Sequence, residues 1–196
     1  MLNIPELTNK LIPVLTRRIK EYHALFDLPL IAELWEETLS KSLKESGYSN
    51  DSEPNRSHQI GKDRELHDIE NSRISCKSGQ FITPRSMGTL CVKFNGGRST
   101  AHKELEDKIR HFSANHDDWY FLLAKEKKFN RKYTFIIFPS SACKVDTLTW
   151  SVSKSGKEWH GKGDFIASIG ESMSSQLWTT FPLNMITFSY EIDCNL

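Results

Sequence analysis

Three segments carry apolar residues every three or four positions, which predicts amphipathic helices. The first runs from Leu15 to Phe26, and the second from Leu28 to Ser46. The third lies within residues 99–116, where Leu105, Ile109 and Phe112 form one stripe and Ser99 or Thr100 is available as an N-cap.

Alternation of apolar and polar residues predicts strands from residue 67 onward. The stretch HDIENSRISCKSG is typical of two extended pieces around a turn at Asn71-Ser72. The stretch GTLCVKFNGG is typical of a further strand. The run from Tyr133 to Phe138 is apolar enough for a strand buried on both faces. A possible short helix spans Ser172 to Trp178. Helices and strands that alternate in this way predict an α/β domain, with a mixed central sheet flanked by helices.

The length of 196 residues (22.6 kDa) favours one domain. We expect N-terminal helices over 1–46, an exposed loop over 47–63, a core over 64–140 and further elements over 141–196. The loop is rich in Ser, Asn, Asp, Gly and Pro.

Composition excludes some classes of protein and leaves others open. With 38% hydrophobic and 26% charged residues, the chain is neither a disordered polyelectrolyte nor a membrane protein. Its net charge of +1 gives no argument for nucleic-acid binding. The four cysteines form no CxxC pair, and the seven histidines show no HxxxH or HxH spacing. The sequence therefore indicates neither a zinc site nor a disulfide framework. No secretory signal is visible, and we expect reduced thiols in a cytoplasm.

The predicted hairpin carries an acidic residue on its first piece and a lysine on its second. We expect Asp68 and Lys77 to lie at neighbouring strand ends, where a carboxylate can bind Mg²⁺ and an ammonium can orient the attacking water. That chemistry is phosphodiester hydrolysis. The alternative is a plain surface hairpin, because an Asp and a Lys nine residues apart are common.

The residues around this pair resemble a known family. Gly61-Lys62-Asp63 and His67-Asp68-Ile69 lead into Ile74-Ser75-Cys76-Lys77-Ser78-Gly79, followed by a strand, Gly97-Arg98-Ser99-Thr100 and a helix. This block is similar to the catalytic core of type II restriction endonucleases of the PD-(D/E)xK superfamily, in which an acidic residue precedes an acidic-x-Lys strand. The similarity runs from Gly61 to Lys132 and more faintly to Trp178.

The resemblance implies a restriction-endonuclease-like core and an enzyme that cuts double-stranded DNA at specific sites, leaving 5′-phosphates. It also implies Mg²⁺ as cofactor, with Mn²⁺ as a substitute. The expected partners are a second copy of the chain and a cognate DNA methyltransferase, in a bacterial or archaeal cytoplasm.

Carried over to this chain, the resemblance makes Asp68 the bridging metal ligand, the main-chain carbonyl of Cys76 a second ligand, and Lys77 the group beside the water. Ser75 stands where the family usually has its second carboxylate, so the missing acid must come from elsewhere. The second predicted helix offers Glu33, Glu36 and Glu37, of which we prefer Glu37. The alternative is that all three glutamates do no more than solvate the helix.

Candidate DNA contacts lie outside this core motif. Arg98 and Ser99 precede a helix, where phosphates bind well; a plain turn arginine is the alternative. Lys128 belongs to a basic cluster that is also typical of a solvated hairpin tip. The loop with Lys157, His160 and Lys162 has a composition suited to entering a DNA groove. Gln176 could form two hydrogen bonds with an adenine. The alternative is that the residues around Gln176 form a helix N-cap that is followed by a buried Trp178.

Two other functions stay open. One is a repair or junction-resolving nuclease of the same fold, which reads DNA shape. The other is a non-enzymatic α/β binding module, with Asp68 and Lys77 in a surface ion pair of little energetic weight.

Overall fold

A computed structural model describes residues 2–48, 65–69, 72–99, 103–114, 118–170 and 175–195. The predicted loop over 47–63 therefore lies almost entirely outside the described residues. Within them the α-helices are α1 (Ile4–Leu25), α2 (Ala32–Glu45) and α3 (Leu105–Ser113). The strands are β1 (Glu65–Ile69), β2 (Ser72–Ile82), β3 (Cys91–Arg98), β4 (Trp119–Lys125), β5 (Lys132–Pro139), β6 (Thr149–Val152), β7 (Glu158–Lys162), β8 (Ile166–Gly170), β9 (Gln176–Pro182) and β10 (Phe188–Asp193).

Helix α1 begins eleven residues before the predicted start at Leu15. The predicted start was wrong, since the buried Leu7 and Leu11 continue the apolar stripe of Leu15 and Ile19 toward the N-terminus. Pro5 stands in the first turn, where its missing N–H has no partner to lose, and the Asn3 side chain caps the helix by accepting from the Glu6 N–H at 3.2 Å. Pro13 lies inside the helix on an exposed position.

All ten strands join one mixed sheet, in the order β10-β5-β4-β2-β3-β9-β8-β7-β6, with β1 paired to β2 beside this path. The β2–β4 pair is parallel and every other pair is antiparallel. The mixed α/β class is thus confirmed. The predicted helix from Ser172 to Trp178 is wrong from Gln176 onward, where β9 begins.

Helices α1 and α2 pack on one face of the sheet, here called the outer face. Trp35 and Leu39 of α2 share a buried cluster with Ile74 and Cys76 of β2. This cluster contains residues of β2, β4, β5 and β10, and none of the described residues of β3 or β6–β9. The helical layer therefore covers only half of the outer face.

The opposite, inner face is the concave side of a curled sheet. Phe138 of β5 and Phe181 of β9 are four strand spacings apart, roughly 19 Å in a flat sheet. Their rings nevertheless stack with centroids 4.8 Å apart. The sheet must therefore curl around this face, and Phe94 and Phe165 help to fill it, with α3 packed at its margin. No helix of the described ranges has the length and apolar character needed to cross a membrane.

Candidate functional site

Strand β2 places a serine and a lysine together on the inner face. Because side chains alternate along a strand, Ser75 and Lys77 point away from Ile74 and Cys76, which pack on the outer face. Ser75 is 1% exposed and Lys77 is 8% exposed. The Lys77 Nζ lies 5.5 Å from the centroid of the Tyr120 ring on β4, within range of a cation–π interaction. The pattern ISCKSG thus yields a buried lysine on a central strand.

Along one edge of β2, the partner strand changes from β1 to β3 close to Lys77. The ladder with β1 extends as far as the pair Glu65↔Ser75, and the ladder with β3 begins at Gly79↔Phe94. Residues 76–78 lie between these two ladders, as far as the described chain shows. On its other edge β2 pairs with β4 without interruption from Ile74 to Gln80.

The structure does not place Asp68 across from Lys77. In the β1–β2 ladder Asp68 lies opposite Arg73, next to a bulge that follows Leu66. Arg73 is four residues from Lys77, or roughly 13 Å along the strand. The turn was predicted at Asn71-Ser72, whereas Ser72 already pairs with Ile69 in the ladder. Only the backbone of β1 is described.

Glu37 and Lys77 are separated by the sheet. Glu37 lies on α2, which packs on the outer face, and its carboxylate pairs with the Lys41 ammonium at 2.8 Å. Glu33 and Glu36 lie on the same helix. The helical wheel shows which side of α2 is apolar, but it holds no information on which face of the sheet the helix covers.

The described residues do not by themselves fit a magnesium ion. They contain no group of three or more His, Cys, Asp and Glu side chains that can hold a metal. On β2, Cys76 directs its side chain into the outer layer, so only its main-chain carbonyl remains as the expected ligand. A Mg²⁺ site beside Lys77 therefore needs carboxylates beyond those whose side chains are described.

A polar cavity of about 200 Å³ lies at the end of the sheet where β2 and β4 begin. Asp118 accepts a hydrogen bond from the Arg73 N–H at 2.8 Å, and its own N–H donates to the Arg73 carbonyl at 2.9 Å. Burial raises the pKa of the Cys143 thiol in the wall. Sequence reasoning missed this cavity; the available signal was polar residues at the ends of two apolar strands. Its lining consists of Phe112, Ser113, Asp118, Tyr120, Ser140, Ser141, Cys143 and Lys144.

Arg98 and Gln176, two of the predicted DNA contacts, lie side by side. They are cross-strand neighbours on β3 and β9. With the Gln176 amide oriented so that its oxygen faces the guanidinium, Arg98 Nε and Nη2 donate to it at 3.0 and 3.1 Å. Gln176 is 9% exposed, whereas Arg98 is exposed. The Gln176 amide thus holds the Arg98 guanidinium. Trp178 is exposed, which contradicts the alternative of an N-cap followed by a buried Trp178.

Ser99 directly follows Arg98 and is buried. Its N–H donates to the Ser175 carbonyl at 3.2 Å, while its Oγ has no hydrogen-bond partner within the described chain.

The other predicted DNA contacts are spread around the sheet. Lys128 lies in the exposed turn between β4 and β5, at the end opposite to Arg98. Lys157 is exposed in the turn before β7. His160 and Lys162 lie on β7, and the His160 Nε2 is 3.6 Å from a Glu158 carboxylate oxygen.

No protein-family model, curated protein or solved structure matches this chain.

Proposed function

We propose that this protein is a type II restriction endonuclease, a Mg²⁺-dependent enzyme that cuts double-stranded DNA at specific sites and leaves 5′-phosphates. The proposal includes a restriction-endonuclease-like core and Mn²⁺ as a substitute cofactor. A homodimer supplies two active sites for the two strands of a palindromic site, and a cognate methyltransferase protects the host DNA in the same cytoplasm.

The observation that carries the proposal is Lys77. Buried lysines are rare, and this one lies on the inner face of a central strand, within the motif that resembles the family. The strand before it carries an acidic residue, Asp68, and the chain then passes through β3 and α3 to the parallel strand β4. An ammonium in such a place can orient a water and stabilise charge that develops on a phosphate.

Asp68 stays the candidate metal ligand that the motif implies, on the strand β1 that pairs with β2.

The proposal is tested by digestion of a fully sequenced phage DNA in Mg²⁺. Wild-type protein should yield discrete fragments with 5′-phosphate ends. Lys77→Met, which keeps the length of the side chain, should reduce the cleavage rate by at least 100-fold. Lys44→Met, at an exposed position of α2, is the matched control and should cut like the wild type.

A further variant tests the acid. Asp68→Asn should abolish cutting, whereas its DNA binding in Ca²⁺ should survive. Full activity of Lys77→Met would overturn the proposal whatever the Asp68 variant does.

A further inference from the structure

The half of the outer face that α1 and α2 leave uncovered carries mostly polar and cationic side chains among the described residues. The register aligns Lys93, Thr180, Ile166 and Lys162 in one row across β3, β9, β8 and β7. The neighbouring row consists of Asn95, Trp178, Ser168, His160 and Ser151. We call these two rows, together with Arg98 and Gln176, the open face.

Positive charge dominates the open face although the whole chain is nearly neutral. The strand residues on it include three permanent cations, Lys93, Arg98 and Lys162. None of the residues that define the open face is acidic; Glu158, two residues before His160 on β7, has a carboxylate oxygen 3.6 Å from the His160 Nε2. The surface is therefore complementary to a polyanion.

Trp178 stands near the middle of the open face and is 38% exposed. The Lys93 Nζ lies 5.3 Å from the centroid of its ring. In its row its direct neighbours are Asn95 and Ser168, both smaller, and part of the indole remains accessible to solvent. An aromatic platform bordered by cations is the arrangement with which proteins stack a base and hold its phosphates.

The shape of the open face favours unpaired over paired DNA. From β3 to β6 the strands span about 19 Å, and the face is the convex side of the curl. That is wider than the major groove of B-DNA, about 12 Å, which admits an α-helix or a two-stranded ribbon. In a duplex the faces of the bases are stacked on one another and are not accessible to an indole.

We propose that the open face binds single-stranded DNA, with a base stacked on Trp178 and phosphates held by Lys93, Arg98 and Lys162. This inference rests on the proposed nuclease function only for its choice of DNA as the polyanion. Gln176 does not read a base here; it is a positioning residue that holds Arg98.

The experiment measures the affinity of a fluorescent single-stranded oligonucleotide in EDTA, where a Mg²⁺-dependent nuclease does not cut. Trp178→Ala should weaken binding at least fivefold, and Trp178→Phe should restore most of it because phenylalanine also stacks. Lys93→Met and Lys162→Met should each lower the slope of log K against log salt by about 0.7. Tyr190→Ala, which removes an exposed aromatic on β10, is the matched control and should bind like the wild type.

Trp178→Ala within twofold of the wild type for the single-stranded oligonucleotide would overturn the inference. The nuclease proposal fails separately. If Lys77→Met cuts normally while Trp178→Ala binds weakly, the proposed active site is wrong and the open face stands. If duplex DNA is cut but no single strand binds, the open face is wrong and the nuclease stands.

Discussion

Tyr133→Phe should destabilise the contact between the helical layer and the sheet. The Tyr133 Oη accepts a hydrogen bond from the Leu30 N–H at 2.8 Å and lies 2.9 Å from the His23 Nε2. The His23 Nδ1 lies 3.0 Å from the Phe26 carbonyl oxygen. Because a carbonyl only accepts, Nδ1 carries the proton, and the tyrosine hydroxyl donates to Nε2. One hydroxyl therefore satisfies the His23 ring of α1 and the Leu30 N–H of the segment between α1 and α2.

The magnitude follows from the burial of these groups. Tyr133 is 2% exposed, and its hydroxyl serves one backbone N–H and one ring nitrogen. Leaving a buried polar group without a partner lowers stability by about 1–3 kcal/mol. With some relaxation, we expect Tyr133→Phe to lower the free energy of unfolding by about 2–4 kcal/mol.

Urea denaturation followed by circular dichroism measures this loss. Tyr190→Phe is the matched control, because Tyr190 is 41% exposed on β10, and should stay within about 0.5 kcal/mol of the wild type. If Tyr133→Phe is also within that margin, the hydroxyl does not hold the helical layer as described.

Three more predictions concern pH, packing and the arginine pair. Burial lowers the pKa of His23 below its ordinary 6.5. The stability that the neutral ring contributes is therefore complete above pH 6.5 and declines as the pH falls, by at most about 1.4 kcal/mol per pH unit. In urea titrations, the free energy of unfolding should fall less between pH 7.5 and pH 5.5 in His23→Gln than in the wild type. Gly79→Ala should lower the free energy of unfolding by about 1–3 kcal/mol, because a Cβ there would stand 2.8 Å from the Val92 Cγ2 and 3.2 Å from the Lys93 oxygen. Thermal unfolding measures this loss, and Ser78→Ala, at an exposed position of the same strand, is the control for Gly79→Ala. Equal losses of stability in the two variants would contradict the close packing around Gly79. Arg98→Met and Gln176→Leu should be non-additive for DNA affinity by about 0.5–1.5 kcal/mol, whereas additive losses in a double-mutant cycle would contradict the positioning role.

Periodicity predicted the elements well where burial alone decides them. The apolar run from Tyr133 to Phe138 lies within β5, and the stripe of Leu105, Ile109 and Phe112 lies on α3. Helix starts were less predictable. Helix α1 begins at Ile4, where the Asn3 side chain caps it and Pro5 stands in its first turn.

The candidate site was only partly predictable for a different reason. Ser75 and Lys77 share a face because side chains alternate along any strand, which the sequence does reveal. Which face of the sheet α2 covers is a tertiary property, and so Glu37 was assigned without knowing that the sheet separates it from Lys77. Likewise, the bulge beside Asp68 and the position of the turn set the register, and neither has a clear signal in the sequence.

The open face illustrates the same limit. Arg98, His160, Lys162 and Gln176 were singled out as separate motifs, and only the order of the strands brings them to one surface with Lys93 and Trp178.

The most direct test of the account is the rate of Mg²⁺-dependent cleavage of sequenced phage DNA by Lys77→Met, measured beside Lys44→Met. We predict that the Lys44 variant releases the discrete fragments of the wild type, while the Lys77 variant, equally folded, leaves the DNA intact. Equal cleavage by both variants, or no cleavage by the wild type in Mg²⁺ or Mn²⁺, would contradict the claim that Lys77 belongs to the active site of an endonuclease.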